Sequence, residues 1–192
     1  MNSIKSLKLD FNTQIRKLGK INNDKISDNL IFVGSGDSYI AGLMVEYIMD
    51  HKCLCYSASD LLNSKFNDNK TYCFISVTGR TESNITVARR ATESGVNTVA
   101  ITMNKDSMLS QACKRTIPID YKSEITPATS FSIFTANVVT CLQIAGVKVP
   151  QKFDIWYNNG VKLSQKFFDS KSFPSNVNNT TLFILGNNIL FP

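Results

Sequence analysis

Five short apolar runs, at residues 29–33, 54–56, 72–77, 98–103 and 116–119, punctuate this chain, and helical patterns fill most of the spaces between them. Runs of this length, bounded by Gly, Ser, Thr or Asn, suit strands better than helices. The first breaks into Gly34-Ser35-Gly36-Asp37-Ser38, after which residues 39–49 are almost continuously apolar and read as a buried helix. The third breaks into Thr78-Gly79-Arg80-Thr81-Glu82-Ser83. Beyond it, Ile85, Ala88 and Ala91 share one helical face, Arg89 and Arg90 read as the solvated face, and Gly95 ends the helix. Residues 130–145 give a long helix closed by Gly146. Strands that alternate with helices are joined by crossovers, so the sheet is parallel and helices cover both faces. The expected fold class is α/β, a three-layer sandwich with a five-stranded parallel sheet flanked by helices.

Sequence outside this block suggests a wider organisation. Ile4, Leu7, Phe11, Ile15 and Leu18 keep helical spacing before Gly19, so residues 1–28 are assigned to an N-terminal helix. The sheet domain takes residues 29–150. Phe153, Trp156, Leu163 and Phe167 give a further helix, and residues 171–179 are a polar stretch rich in Asn and Ser, so 151–179 is read as helix and linker. Residues 181–185 are apolar again and end in Gly186-Asn187-Asn188, which reads as the start of a truncated second unit at 180–192.

Composition narrows the functional classes. Of 192 residues, 43% are hydrophobic and 19% charged, which excludes intrinsic disorder. No apolar run approaches the ~18 residues of a membrane span. Five Cys and one His are too few for most multi-ligand metal sites, so no metal is expected; no cofactor is expected either. Free thiols in a reducing compartment are the simplest account of an odd Cys count, which implies a cytoplasmic protein. The net charge of +6 invites a nucleic-acid reading, but Lys and Arg are spread along the chain and no basic run is interleaved with aromatics. A small anionic ligand fits that charge better than nucleic acid or a membrane.

The two loops after the first and third runs carry the chemistry. Each joins the C-terminal end of a strand to the start of a helix, where first-turn amides lack partners and the helix dipole favours an anion. Glycine lets backbone approach a ligand closely. The hydroxyls of Ser35, Ser38, Ser76, Thr78 and Thr81 supply neutral donors, Gly36 and Gly79 supply backbone, and Arg80 adds charge. Hydrogen bonds to a charged group contribute roughly 1.5–3 kcal/mol each, so four or five of them hold a phosphate monoester without a lysine. In the strand order 2-1-3-4-5, strands one and three are neighbours and their helices leave to opposite faces. Both loops then open into one crevice at the topological switch point.

Rival motifs fit poorly. No GxxxxGK[ST] string is present. Gly34 and Gly36 begin a dinucleotide fingerprint, but Tyr39 stands where a third Gly belongs. Simple capping would account for Ser38 and Thr81, whereas Ser76 lies too early to be a cap. Among titratable residues, Glu82 reads as a first-turn carboxylate that complements the dipole, and His51 as a partner for the end of the preceding helix. Asp37 should turn from an anion and bond backbone amides. Cys53 and Cys55 read as small buried residues flanking Leu54.

At these loops the chain resembles the sugar isomerase (SIS) domain family. Residues 31–39, Ile-Phe-Val-Gly-Ser-Gly-Asp-Ser-Tyr, resemble its first glycine–serine loop, and residues 76–83, Ser-Val-Thr-Gly-Arg-Thr-Glu-Ser, its Ser-x-Ser-Gly-x-Thr-x-[Glu/Asp] loop, with Thr78 in place of the usual Ser. Residues 98–102 and 127–137 resemble later segments of the family, and the likeness runs over about residues 29–147. It implies a flavodoxin-like SIS fold and a phosphosugar ligand. Phosphate contacts would come from Ser38, Ser76, Thr78 and Thr81, with Ser130 and Ser132 on the sugar side. Relatives with two such domains include the isomerase half of glucosamine–fructose-6-phosphate aminotransferase and the archaeal phosphoglucose/phosphomannose isomerases. Residues 181–186 resemble the opening of their second domain. The resemblance also implies a homodimer. It points to a ketose–aldose sugar-phosphate isomerase whose catalytic base lies outside this chain. The alternatives are a non-catalytic phosphosugar-binding or regulatory module, and a nucleotide or flavin binder on the same kind of sheet.

Overall fold

A computed structural model describes residues 18, 23–26, 28–121 and 131–148, with the side chains of residues 131 and 132 left aside. The N-terminal segment other than these positions, residues 122–130 with Ser130, and everything from residue 149 lie outside the described residues. The expected helix at 151–170, the linker and the strand at 181–185 fall there.

Five strands form in chain order: β1 (Leu30–Gly34), β2 (Leu54–Ser57), β3 (Thr71–Ile75), β4 (Asn97–Thr102) and β5 (Arg115–Pro118). All pair in parallel, in the order β2-β1-β3-β4-β5. The expected order and fold class are thus those of the structure. The helices are α1 (Asp37–Ile48), α2 (Glu82–Glu93), α3 (Met108–Ala112) and α4 (Phe131–Ile144).

The central strands β1, β3 and β4 are buried along nearly their whole length because both sides of the sheet are covered there, whereas the edge strands β2 and β5 keep exposed positions at Tyr56 and Arg115. Ile31, Val33, Tyr72, Phe74 and Ala100 pack with Ile85, Ala88 and Ala91 of α2 and with Leu109 of α3. Their neighbours along the strands, Phe32, Cys73 and Ile75, are fully buried on the other side, beneath α1, which also packs on α4. The main cores therefore lie above and below the sheet, and polar loops are left at its two edges.

Three local readings need correction. The helix at 39–49 is not buried all round, since Tyr47 and Ile48 are 54% and 55% exposed, because only the side facing the sheet and α4 is covered. Arg90 is not a solvated residue like Arg89. Its guanidinium donates to the carbonyls of Leu61, Leu62 and Ser64 and lies 5.6 Å from the Phe66 ring centroid. A guanidinium fork can satisfy several carbonyls that a turn would otherwise leave open, and here it pins the segment after β2 to α2. Two short elements were also not anticipated, α3 and a 3-10 turn at Ala58–Leu61. The latter starts with a capping box, in which the Ser57 hydroxyl accepts from the Ser59 amide and the Asp60 carboxylate accepts from the Ser57 amide.

Candidate functional site at the carboxyl edge of the sheet

Strands β1 and β3 are neighbours, and their helices pack on opposite sides of the sheet. Loop one (residues 34–38) and loop two (residues 76–81) therefore flank the crevice where the order reverses, as such sheets require of a ligand site.

Neither helix start is closed by its own cap. Gly36 precedes α1 with φ 56°, which glycine adopts freely, and it has no side chain to bond the first turn. Thr81 precedes α2, yet its hydroxyl makes no cap hydrogen bond. It meets the Ser76 hydroxyl instead, at 3.0 Å. Capping therefore does not account for Thr81. The amides of both first turns keep the partial positive charge that capping would have used.

Loop two is rigid for identifiable reasons. The Gly79 amide donates to the Ser76 hydroxyl at 3.2 Å and to the Ser76 carbonyl at 3.1 Å. Gly79 has φ 64°, and a Cβ there would lie 2.2 Å from Ser107 Oγ. The segment after β4 buttresses the loop further, because Thr102 Oγ1 and the Met103 amide both donate to the Val77 carbonyl. Ser76 is buried at 3% exposure, whereas Thr78 and Arg80 are exposed. The Arg80 amide donates to Thr78 Oγ1.

A proton count shows what this leaves for a ligand. Each hydroxyl has one proton to donate. Ser76 and Thr81 share one hydrogen bond, so the pair retains one free O–H whichever of them donates. Thr78 accepts from Arg80 and keeps its proton. Ser38 is buried in the first turn of α1, and its hydroxyl takes no partner among the described residues. Ser35 differs. Its Oγ donates to Asn84 Oδ1 at 2.9 Å and lies 3.2 Å from Ser83 Oγ. Loop one is thus tied to the first turn of α2, the helix that loop two leads into. Sequence reading passed over Asn84. The available signal was a polar residue beside the apolar stripe of Ile85, Ala88 and Ala91, and it is in fact 1% exposed.

The remaining candidates sort out by position. Helix α1 runs back from the carboxyl edge over its 12 residues, about 18 Å, and His51 follows its far end, toward the opposite edge. His51 stands just past the end of α1, and its amide bonds the Glu46 carbonyl. Its Nδ1 is 2.8 Å from Glu46 Oε1, while Glu46 Oε2 accepts the Cys55 amide. Asp37 is exposed at the first position of α1 and bonds no backbone amide among the described residues, contrary to expectation. Glu82 takes the matching position in α2, where it complements the dipole. Cys53 and Cys55 are buried and Leu54 half-buried, as expected. Burial pushes the Cys53 thiol up to about 11 and the Cys55 thiol up to about 12, with the Glu46 carboxylate adding to both, so neither is a ready nucleophile. Ser132 lies in the first turn of α4. That helix ends where the Ile26 amide bonds the Ile144 carbonyl, just before β1, so its first turn belongs to the carboxyl edge. Among the described residues no three His, Cys, Asp or Glu side chains gather to hold a metal ion. No helix among them is long and apolar enough to cross a membrane.

The SIS domain family matches residues 26–145, well over half of the chain. The chain belongs to the SIS domain family. Solved structures agree at the level of fold. The C-terminal domain of glucosamine–fructose-6-phosphate aminotransferase from Francisella tularensis is 17% identical with a TM-score of 0.56, over 85% of this chain and 54% of that one. Glucosamine-6-phosphate deaminase from Thermotoga maritima is 21% identical with a TM-score of 0.57, over 86% of this chain and 55% of that one. A protein of E. coli CFT073 in complex with a phosphosugar is 14% identical with a TM-score of 0.57, over 82% of this chain and all of that one. This SIS chain thus spans about half the length of the first two. No curated protein matches it. Within the SIS domain, the matched span contains both hydroxyl loops and their buttress from β4 and α3.

Proposed function

We propose that this SIS domain binds a phosphosugar in the crevice between β1 and β3. We further propose that the protein is a ketose–aldose sugar-phosphate isomerase of the fructose 6-phosphate and glucosamine or glucose 6-phosphate class. The observation that carries the reading is the pair of uncapped helix starts, joined side by side and edged with hydroxyls that still have protons to give. A phosphate monoester needs several donors at one place, and a helix start supplies amides and a favourable dipole together. The donors are the amides around Gly36 and Gly79, the hydroxyls of Ser38 and Thr78, and the free proton of the Ser76–Thr81 pair, with Arg80 adding charge at the exposed rim. Ser130 and Ser132 are assigned to the sugar side. A homodimer and a cytoplasmic setting complete the proposal. The phosphosugar complex and the two amino-sugar 6-phosphate enzymes among the structural neighbours support a phosphosugar ligand.

A second reading, a binding module without catalysis, has its own observation. Among the described residues, burial pushes Tyr39 and the five thiols toward the neutral form, and His51 follows the far end of α1. Isomerisation passes a proton between two adjacent sugar carbons and needs a base poised near neutral pH. On the enzyme reading that base comes from outside the described residues. Incubation with fructose 6-phosphate in D2O, followed by proton NMR, separates the two. Deuterium incorporation with formation of an aldose 6-phosphate supports the enzyme. Binding without exchange supports the module, and no binding removes the phosphosugar from both.

A further inference from the structure

The chain of bonds from Ser83 to Ile75 has a direction. Asn84 Nδ2 donates to the Ile75 carbonyl at 2.8 Å, which fixes the orientation of that side-chain amide and turns Oδ1 toward Ser35. Ser35 commits its one proton to Oδ1, so the 3.2 Å contact with Ser83 is a bond that Ser35 accepts. The order is Ser83 to Ser35 to Asn84 to the last residue of β3. It crosses from loop one to the first turn of α2 and ends on the strand that launches loop two. Asn84 is 1% exposed, and its position within α2 leaves the side chain little freedom.

We infer that Ser35 and Asn84 are positioning residues that latch loop one to the first turn of α2 and the end of β3, the two elements that loop two joins, and that Ser35 is not itself a phosphate donor. The inference rests on the phosphosugar reading for its functional consequence, but not for the latch. Two helix starts serve one anion only if their separation is held closely, and among the described residues of loop one it is Ser35 whose side chain bonds another element. Without the latch, loop one would sample positions in which its amides and Ser38 no longer converge with loop two, and every phosphate ligand would lose affinity alike.

The test uses the full chain and its Ser35→Ala, Asn84→Ala and double variants, with fructose 6-phosphate and inorganic phosphate as probes. Each single variant is expected to weaken both probes by roughly tenfold, the range for one lost hydrogen bond. The double variant should lose no more than Asn84→Ala alone, because that change already removes the Ser35 link together with the bond to Ile75. Ser35→Thr keeps the hydroxyl and should restore affinity. Losses that multiply in the double variant would overturn the inference, since they would make Ser35 an independent ligand contact. Hydrogen exchange on the ligand-free chain reads the latch directly. Ser35→Ala, which leaves the Asn84–Ile75 bond intact even if Asn84→Ala does not fold, should speed exchange at residues 36–39 and leave β3 and β4 protected. Unchanged exchange there overturns the latch. A wild-type chain that binds neither probe removes the phosphosugar reading, and exchange still decides the latch.

Discussion

Gly36 and Gly79 both hold positive φ, at 56° and 64°, but their surroundings differ. A methyl at Gly79 would strike Ser107, whereas at Gly36 it would enter open space. Gly79→Ala therefore combines backbone strain with a displaced buttress and should cost about 2–4 kcal/mol. Gly36→Ala carries the strain alone, about 1–2 kcal/mol. Urea unfolding of the two variants checks the order, and equal losses would show that Ser107 does not support the loop. At this scale the sequence exposed the hydroxyls and glycines, because chain position alone ties them to strand ends. It did not show how the hydroxyl protons are shared. That depends on contacts between residues 35 and 84, or 76 and 81, which only folding brings together. Asp37 went astray for a related reason, as its carboxylate bonds no backbone amide among the described residues, while His51 stands after the end of α1 as expected and meets Glu46 of that helix.

At the scale of elements, the long strands and helices were legible because apolar periodicity runs through each of them. Helix α3, with five residues, and the four-residue 3-10 turn are too short to show a period. Their capping serines, Ser107 and Ser57, were the remaining signal. Helix α4 offers a test of its own packing. Thr140 is fully buried, and its hydroxyl oxygen has no hydrogen-bond partner among the described residues. An unsatisfied buried hydroxyl destabilises, so the isosteric Thr140→Val should leave stability unchanged or raise it by about 1 kcal/mol. Thermal unfolding measures the change, and a clear loss would mean that the hydroxyl has a partner after all.

For the whole molecule, the five free thiols set a limit at alkaline pH. Burial raises Cys53 to about 11 and Cys55 and Cys113 to about 12, and pushes Cys73 and Cys141 up as well, against an ordinary value of 9.0. Unfolded thiols release protons from about pH 9, while folded ones retain them. The unfolded state then binds fewer protons, so stability falls as pH rises. That contribution is intact below pH 9 and is lost progressively towards pH 12. Urea midpoints under reducing conditions should be flat between pH 7 and 8.5 and fall by pH 10, and a flat profile to pH 10 would contradict the buried thiols.

The central claim is that two loops make one phosphate site. The most direct measurement is the thermal stability of the full chain with fructose 6-phosphate and with fructose, repeated on the Ser76→Ala, Thr81→Ala double variant. The turn survives that change, because the Gly79 amide also bonds the Ser76 carbonyl. The account predicts a gain of roughly 2.7 kcal/mol with the phosphate ester at one hundred times its dissociation constant, no gain with fructose, and loss of most of the gain in the variant. An undiminished gain in the variant, or none in the wild-type chain, would contradict it.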